Sequence, residues 1–265
     1  AKRSFSSVEQ CAKISEVSLY RTSEGLINMP LHPYKVIPKD WDQFYSSQVQ
    51  NELPDYLDSF YHQPLLDAQQ SMDATDFVSL DIETTGMNAQ KDDIVSIGLV
   101  PFDHQRIYLA KAKHWVVSSR RLTSESVVVH RITHTEVAEA PSLDSVLPEL
   151  IASLQGKQIV VHYRYMEREF LRTAIIEMLQ KDFLFPVIDT LELEVQYLRR
   201  NRSFMARLLN KQLPSLRLLY ARERYHLPSY ENHNALVDAL ATAELLQAQI
   251  AKHKLAQTSV RKLWC

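Results

Sequence analysis

The sequence predicts an α/β fold: a mixed β-sheet flanked by helices, preceded by a mainly helical N-terminal extension. Three observations predict it. From Phe77 onward, short apolar runs bounded by turn residues alternate with stretches whose apolar residues recur at helical spacing. The first three runs follow one another without a helix between them, as in an antiparallel meander, while the later ones are separated by helical sequence, as in parallel pairing. Ahead of them, "MPLHPYKVIP" carries three prolines in ten residues and reads as extended.

After that segment Trp41, Phe44, Tyr45, Leu57, Phe60 and Tyr61 recur around Pro54 at spacings that predict two short helices. Two roles stay open for them: a helical annex on the main domain, or a docking site for a protein partner. "FVSLDI" predicts a buried strand, "DIVSIGLVPF" a second and "RIYLAKAKHWVV" a third. "SLDSVLPELIASL" places Leu143, Val146, Leu147, Leu150 and Ile151 on one helical side. "KQIVVHY" predicts the fourth strand, "YMEREFLRTAIIEMLQ" an amphipathic helix and "FPVID" the fifth strand. Mostly helical sequence then runs to about residue 252. The expected division is an extension over 1–74, a main domain over 75–255 and a tail over 256–265.

The 265 residues are 45% hydrophobic and 23% charged, which supplies the core of one large domain. A net charge of -2 provides no global field toward nucleic acid, so any such contact needs a local basic patch. Two cysteines, Cys11 and Cys265, exclude a disulfide framework and fit a reducing, cytoplasmic setting. No apolar run approaches the roughly 18 residues that span a bilayer, and no membrane partner is expected. With only four glycines, Gly25, Gly86, Gly98 and Gly156, a glycine-rich phosphate loop is excluded.

The stretch with chemistry in it is "FVSLDIETTG". Strand side chains alternate, so Asp81 and Glu83 share a face while Ile82 points into the other layer. Gly86 permits the sharp exit that leaves the pair at the strand's end. Two neighbouring carboxylates repel unless a cation neutralises them. The pair therefore reads either as a site for a hard divalent cation, Mg²⁺ or Mn²⁺, or as solvated acids at an exposed strand end. Far downstream, "NHNALVDALATAELLQAQI" aligns Leu236, Leu240, Ala243, Leu246 and Ile250 along one side of a helix. Asp238 falls in its first turns and His233 on the loop before it. A histidine so placed can take a proton from water near neutral pH.

Together, "FVSLDIETTG" and "HNALVDA" resemble the DEDDh branch of the DnaQ-like 3'→5' exonucleases, a family of the ribonuclease H-like superfamily. "DIVSIGLV", "HRITHTEVAEAPSLDSVLPEL" and "IDTLEL", with Asp189 and Leu191, follow in the family's order, and the similarity covers about residues 76–252. The resemblance implies hydrolysis of the terminal phosphodiester of single-stranded DNA or RNA with two divalent cations, releasing nucleoside 5'-monophosphates. It implies Asp81 between both ions, Glu83 and Asp238 on one of them, and His233 as the base that deprotonates the attacking water. It also implies Thr84, Thr85 and Gly86 near the terminal nucleotide.

The middle motif departs from the family. In "VVHYRYMEREFL", aligning His162 puts Glu167 where an aspartate is usual and Tyr163 where asparagine is usual. Glu167 then serves the second ion directly, serves it through a bound water, or is a plain helix-surface residue. His162, Tyr163 and Arg164 are candidate substrate contacts. "LRRNRSFMARLLNK", residues 198–211, mixes Arg199, Arg200, Arg202, Arg207 and Lys211 with Phe204, a composition for tracking a single strand or for a solvated helix face. His130 and His134, four apart, form a weaker metal-site alternative. A homodimer is compatible with the sequence. The alternative function is a nucleic-acid-binding or regulatory module that keeps the fold with weakened catalysis.

Overall fold

The computed structural model describes residues 20–22, 25–27, 37–119, 134–201, 213–230 and 234–265. Two short strands, β1 (Tyr20–Thr22) and β2 (Gly25–Ile27), pair with each other in antiparallel fashion, apart from the main sheet. Helices α1 (Trp41–Gln48) and α2 (Asp55–His62) follow. The main sheet comprises β3 (Phe77–Thr84), β4 (Ile94–Phe102), β5 (Lys113–Val116), β6 (Gln158–Val161) and β7 (Val187–Asp189), in the order β5-β4-β3-β6-β7. β4 is antiparallel to both β3 and β5, while β3, β6 and β7 run parallel. The remaining helices are α3 (His134–Glu139), α4 (Leu143–Leu154), α5 (Tyr165–Leu179), α6 (Thr190–Arg200), α7 (Leu218–Glu223) and α8 (Ala235–His253). This is the mixed, helix-flanked sheet that the alternation of strand and helix signals predicts.

β3 is the central strand, and every residue in it is buried except Asp81, which is partly exposed. A strand covered on both faces needs a mostly apolar run, which "FVSLDI" supplies, and Ser79 Oγ donates to Val100 O at 3.2 Å. The third strand is shorter than its apolar sequence suggests. Asp103 Oδ1 accepts from the main-chain N–H groups of Gln105 and Arg106, both at 2.7 Å, and tightens the chain just after β4. A short 3₁₀ turn then occupies Leu109–Lys111, so pairing with β4 resumes only at Lys113, opposite Leu99.

α1 and α2 belong to the same hydrophobic core as the sheet. Trp41, Tyr45, Leu57, Phe60 and Tyr61 are buried, and Phe60 packs against Phe183 with ring centroids 5.4 Å apart and planes tilted by 59°. Tyr61 Oη donates to Leu184 O (3.2 Å) and accepts from Leu184 N (3.1 Å), which satisfies a hydroxyl inside this aromatic layer. Residues at the far end of the chain pack beside them. Cys265 N donates to Val187 O at 2.9 Å, and Trp264 Nε1 donates to Gln158 Oε1 at 2.6 Å. No helix among the described residues is long and apolar enough to cross a membrane.

Candidate metal centre

β3 carries Asp81 opposite Gly98 and Glu83 opposite Ser96, with an irregularity in the pairing between Glu83 and Thr84. Alternation puts both acids and Gly98 on one face. The start of α8 lies against that face. A Cβ on Gly98 would stand 2.2 Å from Ala235 O and 2.5 Å from Leu236 N, both main-chain atoms. The absence of a side chain at 98 therefore lets the helix N-terminus rest directly on β4 beside Asp81. Asn234 caps the helix, its side-chain oxygen accepting from Leu236 N and Val237 N. Asp238 lies in the first turn, and carboxylate oxygens of Asp81, Glu83 and Asp238 come within 4.8 Å of one another.

Of the expected stripe on α8, Ala243, Leu246 and Ile250 are buried. Ala235, Ala239, Thr242, Leu246 and Gln249 are fully buried, whereas Leu236 and Leu240 are only partly so. In the first two turns the small Ala235 and Ala239 take the buried positions, where the helix rests on the main chain at Gly98.

The acids repel one another strongly. Burial raises the Asp81 carboxyl well above the usual carboxylate range, and the charges of Glu167, Asp238 and Glu83 raise it further. Glu167 is raised as well, first by burial and then by Asp189 and Glu83, while its own backbone N–H and Arg168 act the other way. Its side chain sits in the first turn of α5 and is 3% exposed. Glu167 Oε2 has no hydrogen-bond partner among the described residues. Glu167 lies outside the group of three whose oxygens approach within 4.8 Å. A partly buried, oxygen-only donor set of like charges fits a hard divalent cation, which would neutralise it.

The middle motif is organised by Asp189, the last residue of β7 and the N-cap of α6. Its carboxylate accepts from Tyr163 N (3.0 Å), Arg164 N (3.1 Å), Arg164 Nη1 (3.1 Å) and Leu191 N (3.0 Å). Two of the expected substrate contacts have partners within the protein. Arg164 is ion-paired with Asp189, and its Nη1 also lies 3.9 Å from Glu192. His162 has Nδ1 on Thr190 Oγ1 (2.8 Å) and Nε2 on Leu216 O (2.9 Å), so it ties β6 to α6. Asp189→Ala is expected to destabilise the fold by about 2–4 kcal/mol in urea unfolding, since it leaves several buried donors without their acceptor. A loss below about 0.5 kcal/mol would show that water replaces the carboxylate.

Thr84, Thr85 and Gly86 form the exit from β3. Thr84 Oγ1 donates to Gly86 O at 2.5 Å, and Asp93 N donates to Thr85 Oγ1 at 3.0 Å. A Cβ on Gly86 would meet the Asp92 carboxyl at 2.6 Å, so glycine here admits a side chain from across the loop. His233, His130 and residues 202–212 lie outside the described residues. Arg199 and Arg200, exposed, close the last turn of α6. Among the described residues, the acidic group at Asp81 is the one whose donors converge as a metal site requires. A cavity of about 460 Å³ lies at the other end of β3, between Asp76, Pro101, Lys113 and Lys157, away from these acids.

Sequence reasoning missed Gly98 and the role of Asp189. The signal for the second was available: an aspartate that ends an apolar strand and precedes a helix is an N-cap.

Comparison with known proteins identifies the family. The family model RNase_T, described as an exonuclease, matches residues 78–246. The DNA polymerase III PolC-type protein of Thermotoga maritima is 33% identical over 174 residues, covering 65% of this chain and 12% of that protein. The chain thus spans about an eighth of the length of that relative. Among solved structures, the nuclease domain of 3'hExo, a DEDDh family member bound to rAMP, superposes with a TM-score of 0.56 and 13% identity, covering 69% of this chain and 94% of that one. E. coli exonuclease I in complex with a dT13 oligonucleotide superposes with a TM-score of 0.52 and 16% identity, covering 68% and 42%. The match over most of the sheet, spanning the three converging acids, shows that this chain belongs to the RNase_T exonuclease family.

Proposed function

We propose that this chain is a 3'→5' exonuclease that shortens single-stranded DNA or RNA from its 3' end, releasing nucleoside 5'-monophosphates. The observation that carries the reading is the convergence of Asp81, Glu83 and Asp238 within 4.8 Å, two from the central strand and one from a helix N-terminus. Fold neighbours that hold rAMP and dT13 are consistent with either polymer.

Asp81, Glu83 and Asp238 would hold one divalent ion, Mg²⁺ or Mn²⁺, with Asp81 shared with a second. Glu167 would serve the second, directly or through water. When bound, such ions neutralise the charge that builds on the phosphate and on the leaving 3' oxygen. His233 directly precedes the Asn234 cap in the chain and would take the proton of the attacking water. Thr84, Thr85 and Gly86, at the strand exit beside Glu83, would position the terminal nucleotide.

Incubation of 5'-labelled single-stranded DNA, duplex DNA and short RNA with Mg²⁺ or Mn²⁺ tests the reading. A ladder that shortens one nucleotide at a time from the 3' end is expected with one of the single strands. Binding without shortening would leave the fold as a recognition module instead. His233→Ala is expected to remove most of the rate, about 10²–10⁴-fold, with ion binding by calorimetry unchanged. Glu167→Gln keeps the size and removes the charge, and is expected to lower Mn²⁺ affinity and turnover about 10–100-fold. Unaltered Mn²⁺ affinity in that variant would remove Glu167 from the site.

A further inference from the structure

Tyr163 has a backbone φ of 87°, the left-handed region that a bulky side chain rarely adopts. Asparagine or glycine would occupy this position with little strain, yet the chain places a large aromatic ring there. Asp189 maintains the conformation by accepting from Tyr163 N and Arg164 N. Strain held in place by buried hydrogen bonds beside a functional site indicates that the side chain it presents is used.

What the strain presents is an aromatic pair. The rings of Tyr163 and Tyr165 lie 5.8 Å apart, tilted by 34°, and both residues are partly exposed. Tyr165 is the first residue of α5, and Glu167 follows it in the same turn. The strip of α5 that begins at Tyr165 continues to Thr173, whose Oγ1 accepts from Gln90 Nε2 at 3.3 Å. Gln90 belongs to the loop that leaves β3 after the acids, and that loop also exposes Met87 (55%). The two tyrosines stand where the chain enters α5, just ahead of Glu167 in its first turn.

We propose that Tyr163 and Tyr165 form a stacking platform for a nucleobase of the single strand, holding the 3' end over the acids. The proposal rests on the exonuclease reading for its substrate class. Flat π-faces stack on any base, so the platform favours an unpaired end over a duplex and tolerates every sequence. Tyr163 is in this sense a positioning and specificity residue.

Anisotropy titrations of a labelled ten-nucleotide single strand, with EDTA present so that nothing is cut, provide the test. Tyr163→Asn is expected to weaken binding about tenfold, since one base–aromatic stack is lost. Its melting temperature should equal or exceed that of the unmodified chain, because the left-handed backbone is relieved. Tyr163→Phe should bind within about twofold of the unmodified chain, and Tyr165→Ala should be weakened in the same direction as Tyr163→Asn. The platform is overturned if Tyr163→Asn binds as tightly as the unmodified chain, or if Tyr163→Phe loses as much as Tyr163→Asn. A lower melting temperature for Tyr163→Asn would overturn the strain argument. Parallel digestion with Mg²⁺ separates the two ideas. An unmodified chain that binds but does not cut defeats the exonuclease reading alone, and one that cuts while Tyr163→Asn binds unchanged defeats the platform alone.

Discussion

Asp81→Asn is expected to lower hydrolysis of a 3' end about a thousandfold or more, while the metal-free protein becomes more stable to heat. Both effects follow from one arrangement. Asp81 is the carboxylate that all the others crowd, since Glu167, Asp238 and Glu83 each raise its pKa after burial has done so. Removing its charge takes away the position two ions would share and also relieves the repulsion that the metal-free fold carries. The pH dependence has a definite sign. The folded-state pKa lies above the unfolded value near 3.9, so the folded chain holds this proton more tightly than the unfolded chain does. Its contribution is greatest in acid and is lost as pH rises from the unfolded pKa through the raised folded one. Metal-free protein should therefore melt lower at pH 7 than at mildly acidic pH through this group, and Asp81→Asn should flatten that slope. Added Mg²⁺ or Mn²⁺ should raise the melting temperature at pH 7 and much less in acid, where protons compete for the same oxygens. Turnover near that of the unmodified chain in Asp81→Asn would refute the assignment.

Gly98→Ala is expected to destabilise the fold by about 1–3 kcal/mol and to lower turnover about a hundredfold. The added Cβ would lie 2.2 Å from Ala235 O, and a main-chain atom cannot turn aside as a side chain can. The start of α8 must lift from β4, which moves Asp238 away from Asp81 and Glu83. A misplacement of about 1 Å at a reacting centre costs on the order of a hundredfold. Gly156→Ala makes the control. Gly156 has a φ of 68° and nothing within 4 Å of an added Cβ, so the change should cost about 1 kcal/mol of backbone strain and leave turnover alone. Equal activity losses in the two variants would show that general destabilisation, rather than displacement of Asp238, is responsible.

Much of the fold is legible in the sequence because its signals are local. A buried central strand requires a mostly apolar run, and "FVSLDI" is one. An antiparallel meander followed by strands separated by helices fits a mixed sheet with order β5-β4-β3-β6-β7. The shared face of Asp81 and Glu83 follows from the alternation of a strand, and the place of Asp238 in the first turn follows from the Asn234 cap. Other features were not legible. The third strand is cut to Lys113–Val116 by the 3₁₀ turn at Leu109–Lys111. At the start of α8 the buried positions go to Ala235 and Ala239 rather than to Leu236 and Leu240, because the close approach at Gly98 leaves room only for small side chains. The partner of Arg164 was not legible either, since Asp189 stands 25 residues later in the chain.

What the sequence by itself determined is the order of the elements and the type of chemistry. Paired carboxylates on one strand and a third behind a capped asparagine are statements about residues close in the chain, and period and capping decide them. What only the tertiary structure decided is the distance between them. Asp81 and Asp238 are 157 residues apart in sequence, and their oxygens approach because a glycine on a third segment leaves room for a helix to sit on the sheet. Contacts of that kind depend on volumes that no single segment carries, so Gly98 acquires its meaning only once β4 and α8 are packed together.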